Sequence, residues 1–410
     1  MNISYNWLRR YIDVDMTAAE VAEKLTSIGL EVGTVETVQT IKGGLEGLTV
    51  GEVLTCVNHE NSDHLHVTTV MVKPGEEPLQ IVCGAPNVAA GQKVIVAVIG
   101  TVLYDGDESF TIKKSKMRGV ESFGMTCAAD EIGVGTDHDG IMVLPEDTPV
   151  GMPAKEYFGI KDDYVIEVDI TPNRADAISH WGVARDLYAW CLANGVKARL
   201  MLPGETTHAS SLQDGGCKSG DIEIEIQSEE RCPRYAGILI NNVKVEESPK
   251  WLKEALTVIG LRPINNVVDI TNYVMHAFGQ PLHAFDADKI EGRKVVIRTA
   301  KEGTKFKTLD GVERTLSGED LMICDAHREM CIAGVFGGEE SGVTSETCNV
   351  FLEVAYFNPV SVRKTARRHG LNTDASFRYE RGIDPNNTIW VLKYTVGLIM
   401  DVMREGGDDA

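Results

Sequence analysis

The amino-acid sequence predicts an α+β protein of several domains, and three observations lead there. The chain has 410 residues, beyond the size at which one hydrophobic core keeps growing, so roughly two to four domains are expected. From about residue 47 to 150 the apolar runs are short, closely spaced and punctuated by Gly and Pro, the pattern of a small barrel or sandwich. Elsewhere, segments of helical period alternate with short apolar runs, as in an α+β fold.

Taken in order, Thr17 is placed to N-cap a helix with Glu20 completing a capping box, Val21, Leu25 and Ile28 forming its apolar side, and Gly29 ending it. The segments LTVGEVLTCV, HVTTVMV, QIVCG and KVIVAVIG read as strands, followed by a KMRG turn and SFGMTCA. YVIEVDIT reads as a strand, and WGVARDLYAWCLANG as a helix closed by Gly195. Residues 201–220 are rich in Gly, Ser and Thr and read as a linker. DIEIEIQ then alternates with period 2, a half-buried strand. Beyond it, SPKWLKEALTVIG and NNTIWVLKYTVGLIMDVMRE read as helices, and KVVIRTA, LMICD and NVFLEVAYF as strands. Asp310-Gly311 makes a hairpin turn. The sequence stops directly after an apolar helical stretch, which reads as truncation at least as readily as a natural end.

Composition narrows the class. Apolar content of 43% and charged content of 25% are those of a soluble globular protein. No apolar run approaches the ~18 residues of a membrane span, and no secretory signal opens the chain, so a cytoplasmic location is expected. Nine scattered cysteines without CxxC spacing fit reduced thiols rather than disulfides or structural zinc. The net charge of −21 argues against bulk phosphate binding. Two local basic groups stand out: Lys113, Lys114, Lys116 and Arg118, then Arg363, Lys364, Arg367, Arg368, Arg378 and Arg381. Either could equally be a solvated face. His59, His64 and His66 lie close together, but no cysteine or carboxylate spacing supports a metal, and a surface histidine cluster is the better reading.

No Walker loop, GxSxG elbow, HExxH or EF-hand loop occurs. The informative stretch is RPINNVVDITNYVMHAFGQPLHAFD, residues 262–286, in which Gln280-Pro281 makes a rigid post for His283. In IAGVFGGEESGV, glycines at 334, 337 and 338 can let a ligand approach the backbone. NVFLEVAYF sets Glu353 in an apolar strand, where a carboxylate needs a partner or a role unless it faces solvent from an edge. In RRHGLNTDASFRYERGID, Thr373 and Ser376 can serve as turn hydroxyls, and Arg378, Glu380 and Arg381 as a surface ion-pair network.

DITNYVMHAFGQPLHAFD, GGEESGV, LEVAYF and RRHGLNTDASFRYERG together resemble the B3/B4 editing domain of the bacterial phenylalanyl-tRNA synthetase β-subunit family. VGEVLTCVNHENSDHLHV, IVCGAPNV and KMRGVESFGMTCA resemble its tRNA-binding OB-fold. MNISYNWLRRYID and VIEVDITPNRADAISHWGVARDL resemble its discontinuous N-terminal domain. The resemblance covers essentially the whole chain. It implies a small α/β N-terminal domain (1–38 with 151–200), an inserted OB-fold β-barrel (39–150), the linker 201–220, an α+β B3/B4 editing domain (221–400), and the start of a truncated further domain (401–410). It implies hydrolysis of tyrosine misattached to tRNA(Phe), a catalytic α-subunit partner in an α2β2 heterotetramer, and ATP and magnesium for the whole synthetase, with no cofactor or metal held by this fragment. A non-catalytic scaffold that holds tRNA or the partner subunit is the alternative.

Matched residue by residue, the editing pocket would include Arg262, His283, Gly337, Glu353, Thr373 and Ala375. Glu353 would accept the tyrosine hydroxyl, Gly337 and Ala375 would leave room for the ring, His283 and Thr373 would orient the water or ester, and Arg262 would hold the tRNA end. Lys113, Lys114, Lys116 and Arg118 are the candidate tRNA contacts of the OB-like region. Such a second site is useful because an apolar synthetic pocket rejects an added hydroxyl only about a hundredfold.

Overall fold

The computed structural model describes residues 1–405 except 107, 136, 161 and 202–221. Nearly all of the expected linker therefore lies outside the described residues, as do 406–410. The chain divides into two compact units, Met1–Glu36 with Tyr164–Ala410, and Thr37–Asp163.

In the first unit, strand β1 (Asn2–Ser4) precedes helix α1 (Ala18–Ser27) and strand β2 (Glu31–Val38). Thr17 caps α1 through the reciprocal bonds with Glu20 that its spacing predicts. Val21, Ala22 and Leu25 are the side of α1 that goes into the core.

The second unit carries a curled sheet of β3 (Leu48–Asn58), β4 (His66–Met71), β5 (Leu79–Cys83), β6 (Lys93–Val98) and β7 (Gly124–Thr126), in the order β7-β6-β3-β4-β5, with Val143–Leu144 also on β6. Strand β3 pairs with β6 along its first half and with β4 along its second, and a register shift at Val53/Thr55 marks the bend. The Phe123 amide donates to the Gln80 carbonyl at 2.9 Å, joining the two ends of the sheet. Of the barrel and the sandwich, the nearly closed barrel is the one formed. Its interior is Val53, Val70, Ile81, Val94 and Val96. The KMRG turn is a hairpin with Arg118 and Gly119 both at positive φ (47° and 100°), the geometry that matches strand twist.

The remainder of the first unit starts with β8 (Asp163–Asp169), which lies between β1 and β2 in a three-stranded sheet. Helix α2 (His180–Ala193) follows, with Asn194 as C-cap and Gly195 at φ 67°. Further on come β9 (Glu223–Ile226), β10 (Arg234–Asn241), α3 (Asn266–Phe278), β11 (Leu282–Asp286), β12 (Lys294–Thr299), β13 (Leu321–Cys324), β14 (Glu329–Ile332), β15 (Phe336–Gly337), β16 (Asn349–Tyr356), α4 (Pro359–His369), α5 (Asp374–Tyr379) and α6 (Asn387–Glu405). Strands β9-β12-β13-β14-β15 form one sheet, with β9 parallel to β12, and β10-β16-β11 form an antiparallel second. One face of β10-β16-β11 packs into a core with α1, α2, α3 and α6; the other faces the five-stranded sheet. The architecture is the α+β multi-domain one that the sequence predicts. Among the described residues no helix is long and apolar enough to cross a membrane.

Two expectations change. His59 is buried rather than part of a surface cluster: its Nδ1 accepts from the Asn61 amide at 3.0 Å, which leaves Nε2 to donate to the Met117 carbonyl at 3.2 Å. Arg378 is 1% exposed, not a surface residue, and donates to the Asp374 carboxylate at 3.1 Å and to His276 Nδ1 at 3.2 Å. Next to it, His180 is wholly buried and stacked on Trp7, and burial holds its pKa down to about 3. These are the fastenings of the helical core.

Candidate functional site

The site is built on the sheet β10-β16-β11, and its logic begins with α3. Asn265 caps this helix by accepting from the Val268 amide at 2.9 Å, and Gly279 ends it in the left-handed region at φ 76°. Gln280 comes next and is 1% exposed, its amide nitrogen donating to the Ala355 and Pro281 carbonyls at 3.0 and 3.1 Å. Tyr379 donates to the Ala355 carbonyl as well, at 3.2 Å. The Gln-Pro post is thus pinned to the central strand, and β11 leaves it in fixed register.

That register sets His283 directly opposite Glu353, while Gly237 on β10 faces Glu353 from the other side. Residues paired in this way share one face of a sheet. Strand β16 is central, and Glu353 is 3% exposed, so the solvent-facing edge alternative is ruled out. Burial pushes the Glu353 carboxyl up to about 7, opposed by a side-chain hydrogen bond with the Tyr235 phenol. Glu353 Oε2 and His283 Nε2 are buried without a hydrogen-bond partner of ordinary geometry. Burial holds His283 down to about 4, so at neutral pH its ring is uncharged. Its edge rests on Phe285, with ring centroids 4.5 Å apart.

Gly337 closes this space. A Cβ there would stand 2.9 Å from His283 Cε1 and 2.8 Å from Leu309 Cδ1, so a bare Cα is the condition for the contact. Thr373 acts on the same turn. As N-cap of α5 it accepts from the Ser376 amide at 3.0 Å and donates to the Val335 carbonyl at 2.9 Å. Its one proton is therefore committed, and the lone pair left over can only accept. Ala375, half-buried in the first turn of α5, packs against the same apolar cluster.

The structure thus brings His283, Glu353 and Gly337 together and ties Thr373 to their supporting turn. Arg262 is exposed on the segment before α3, and among the described residues no hydrogen bond or ion pair engages it. Lys113, Lys114, Lys116 and Arg118 are all exposed; Lys114 pairs with Glu121 at 2.9 Å and Arg118 donates to the Asn61 carbonyl at 2.8 Å. Sequence reading missed Tyr235, whose signal was the alternation of β10 that puts Tyr235 and Gly237 on one face. Cys232 and Cys331 lie near Glu353, and burial first and its charge second push both thiols up, which removes them as nucleophiles.

Comparison with known proteins adds the decisive observation. A family model for a B3/4 domain matches residues 231–404, and one for a putative tRNA binding domain matches 48–153. The phenylalanine–tRNA ligase beta subunit of Bacteroides fragilis is 65% identical over 402 residues, which are 98% of this chain and 48% of that protein. The chain belongs to the phenylalanine–tRNA ligase beta-subunit family. The beta subunits of Porphyromonas gingivalis and Fusobacterium nucleatum are 60% and 44% identical, over 98% and 100% of this chain. The chain spans about half the length of these relatives, 48% and 49%. Every residue of the site around Glu353 from Cys232 to Tyr379 falls in the segment matched by the B3/4 family.

Proposed function

We propose that this chain supplies the editing site of a phenylalanine–tRNA ligase, hydrolysing tyrosine wrongly esterified to tRNA(Phe). The observation that carries the reading is the pair of buried, unpartnered polar atoms, Glu353 Oε2 and His283 Nε2, side by side in an otherwise apolar cluster. A carboxylate left that way is unfavourable, and a phenolic O–H would satisfy it. Phenylalanine brings no such group. Neutral His283 can hold the attacking water or the ester, and Gly337 and Ala375 keep the space for a ring. The Thr373 bond to Val335 steadies the turn that carries Gly337. Arg262 would meet the tRNA end as an exposed cation, and the basic hairpin of Lys113, Lys114, Lys116 and Arg118 would meet tRNA elsewhere. Phenylalanine attachment itself, with ATP and magnesium, we assign to the alpha subunit of a cytoplasmic α2β2 complex. We likewise retain the domain division 1–38 with 151–200, 39–150 and 221–400.

The test is single-turnover deacylation of Tyr-tRNA(Phe), with Phe-tRNA(Phe) as control. The Tyr ester should be hydrolysed preferentially; Glu353→Ala should erase the preference, and His283→Ala should slow the reaction at least tenfold. Hydrolysis unchanged in both variants would remove Glu353 and His283 from the mechanism, and no hydrolysis by the wild type would leave the scaffold reading.

A further inference from the structure

We propose that Arg378 is a positioning residue of the editing site: with His276 it locks helix α5, which carries Ala375, onto the end of α3, from which the Gln-Pro post and His283 extend. The proposal rests on the editing reading above and adds to it a residue that sets the spacing between two walls of the pocket.

Those walls belong to separate segments, β11 directly after the post and α5 far along the chain. Thr373 secures only the start of α5, so the rest of the helix is held by its later residues. One tie is Tyr379, which donates to the Ala355 carbonyl at 3.2 Å, but its ring also packs on Phe357 in the core. The other is Arg378. Its Nη1 donates within α5, to the Asp374 carbonyl at 2.9 Å and carboxylate at 3.1 Å, while Nη2 donates across to His276 Nδ1 on α3 at 3.2 Å. A planar guanidinium fixes both directions at once, which an ammonium on a flexible stem does not. The end of α3 is itself a fixed point. Its His276 carbonyl accepts from His180 Nδ1 at 2.9 Å, and His180 Nε2 accepts from the Ser4 amide at 3.0 Å.

Stability does not account for this arginine. Arg378 is 1% exposed, its Nε has no hydrogen-bond partner, and the Asp374 side chain that pairs with it is 49% exposed. Burial lowers the guanidinium pKa, with Asp374 opposing. His276 Nε2, the nitrogen left holding the ring proton, is likewise buried without a hydrogen bond. Apolar side chains of similar volume are often as stabilising as such a buried polar cluster, or more so. What they lack is direction.

The experiment compares the wild-type chain with Arg378→Met/His276→Leu and with Arg378→Lys, by single-turnover hydrolysis of Tyr- and Phe-tRNA(Phe) across enzyme concentrations, and by Tm. The double variant removes both partners and leaves Asp374 to solvent, so its Tm should not fall. Its maximal rate on the Tyr ester should drop at least tenfold at an unchanged half-saturating concentration, and the Tyr-to-Phe ratio should drop with it. Arg378→Lys keeps the charge without the fork and should show the same loss, which also covers a double variant that does not fold. A wild-type rate and ratio in both variants overturn the positioning role and leave the editing reading standing. So does a higher half-saturating concentration at an unchanged maximal rate, or a lowered Tm whose rate loss only follows the folded fraction. A wild-type chain that hydrolyses neither ester overturns the editing reading itself, and the positioning role with it.

Discussion

The two faces of the sheet β10-β16-β11 share every backbone atom and differ in almost everything else. On one face Ala236, Ile238, Ile240, Leu282, Ala284, Val350, Leu352 and Val354 pack into the helical core, and polar groups come only at the strand ends, Asp286 opposite Val350 and Arg234 opposite Tyr356. The residues between them point to the opposite face, where Phe285, Phe351 and Ala355 are joined by Tyr235, Gly237, His283 and Glu353. The first face is built for stability alone. On the second, Glu353 Oε2 and His283 Nε2 are buried among aromatic rings without a hydrogen-bond partner of ordinary geometry, an arrangement unfavourable for folding. The period of two along a strand lets one element serve both purposes without compromise.

The contrast can be broken by mutation, and the largest effect should come from the apolar face. Leu352→Ala should cost about 2–5 kcal/mol of stability by leaving a cavity, read by chemical denaturation, while the Tyr-to-Phe deacylation ratio stays at its wild-type value. A changed ratio would mean that the faces are not independent. Next comes Glu353→Gln, whose effect on stability depends on pH. The folded carboxyl titrates near 7 against an ordinary 4.5, so the native state holds the proton more tightly than the unfolded chain. The wild type therefore loses stability as pH rises from 4.5 to 7, by about 3 kcal/mol at 1.36 kcal/mol per pH unit. Measured as variant minus wild type, the curve should climb over that window and be flat above it; a flat curve throughout would show that Glu353 is solvated. Smallest is Thr373→Ala, worth about 1 kcal/mol as a lost cap. Deacylation should slow because the Val335–Gly337 turn loosens beside His283, and Thr373→Ser should restore it.

The same contrast explains what could be read in the sequence. Local features were legible: the Thr17 capping box, the left-handed glycine at 195, the Asp310-Gly311 hairpin and the strand character of NVFLEVAYF all follow from residues a few positions apart. The residues leave open whether NVFLEVAYF is an edge strand or a covered one, and the central place of β16 decides it. Pairing was not legible. Nothing near Tyr235 says that β10 will lie against β16, and nothing near Arg378 says that it will be buried against His276. Between the barrel and the sandwich, spacing alone could not decide, because the choice depends on the bend at Val53/Thr55 and on the Phe123–Gln80 closure.

The sheet that joins β1, β8 and β2 has a consequence for the order of events during synthesis. The amino terminus donates to the Val168 carbonyl, 167 residues away, and Asn2 pairs with Glu167. At ~5–20 residues per second, a ribosome makes β1 wait roughly 10–30 seconds for its partner. The whole Thr37–Asp163 unit emerges in that interval and can close its barrel first. The opening strand of the chain is thus among the later ones to find its place, and a nascent chain stalled just after residue 163 has emerged would carry a finished barrel behind an unpaired beginning.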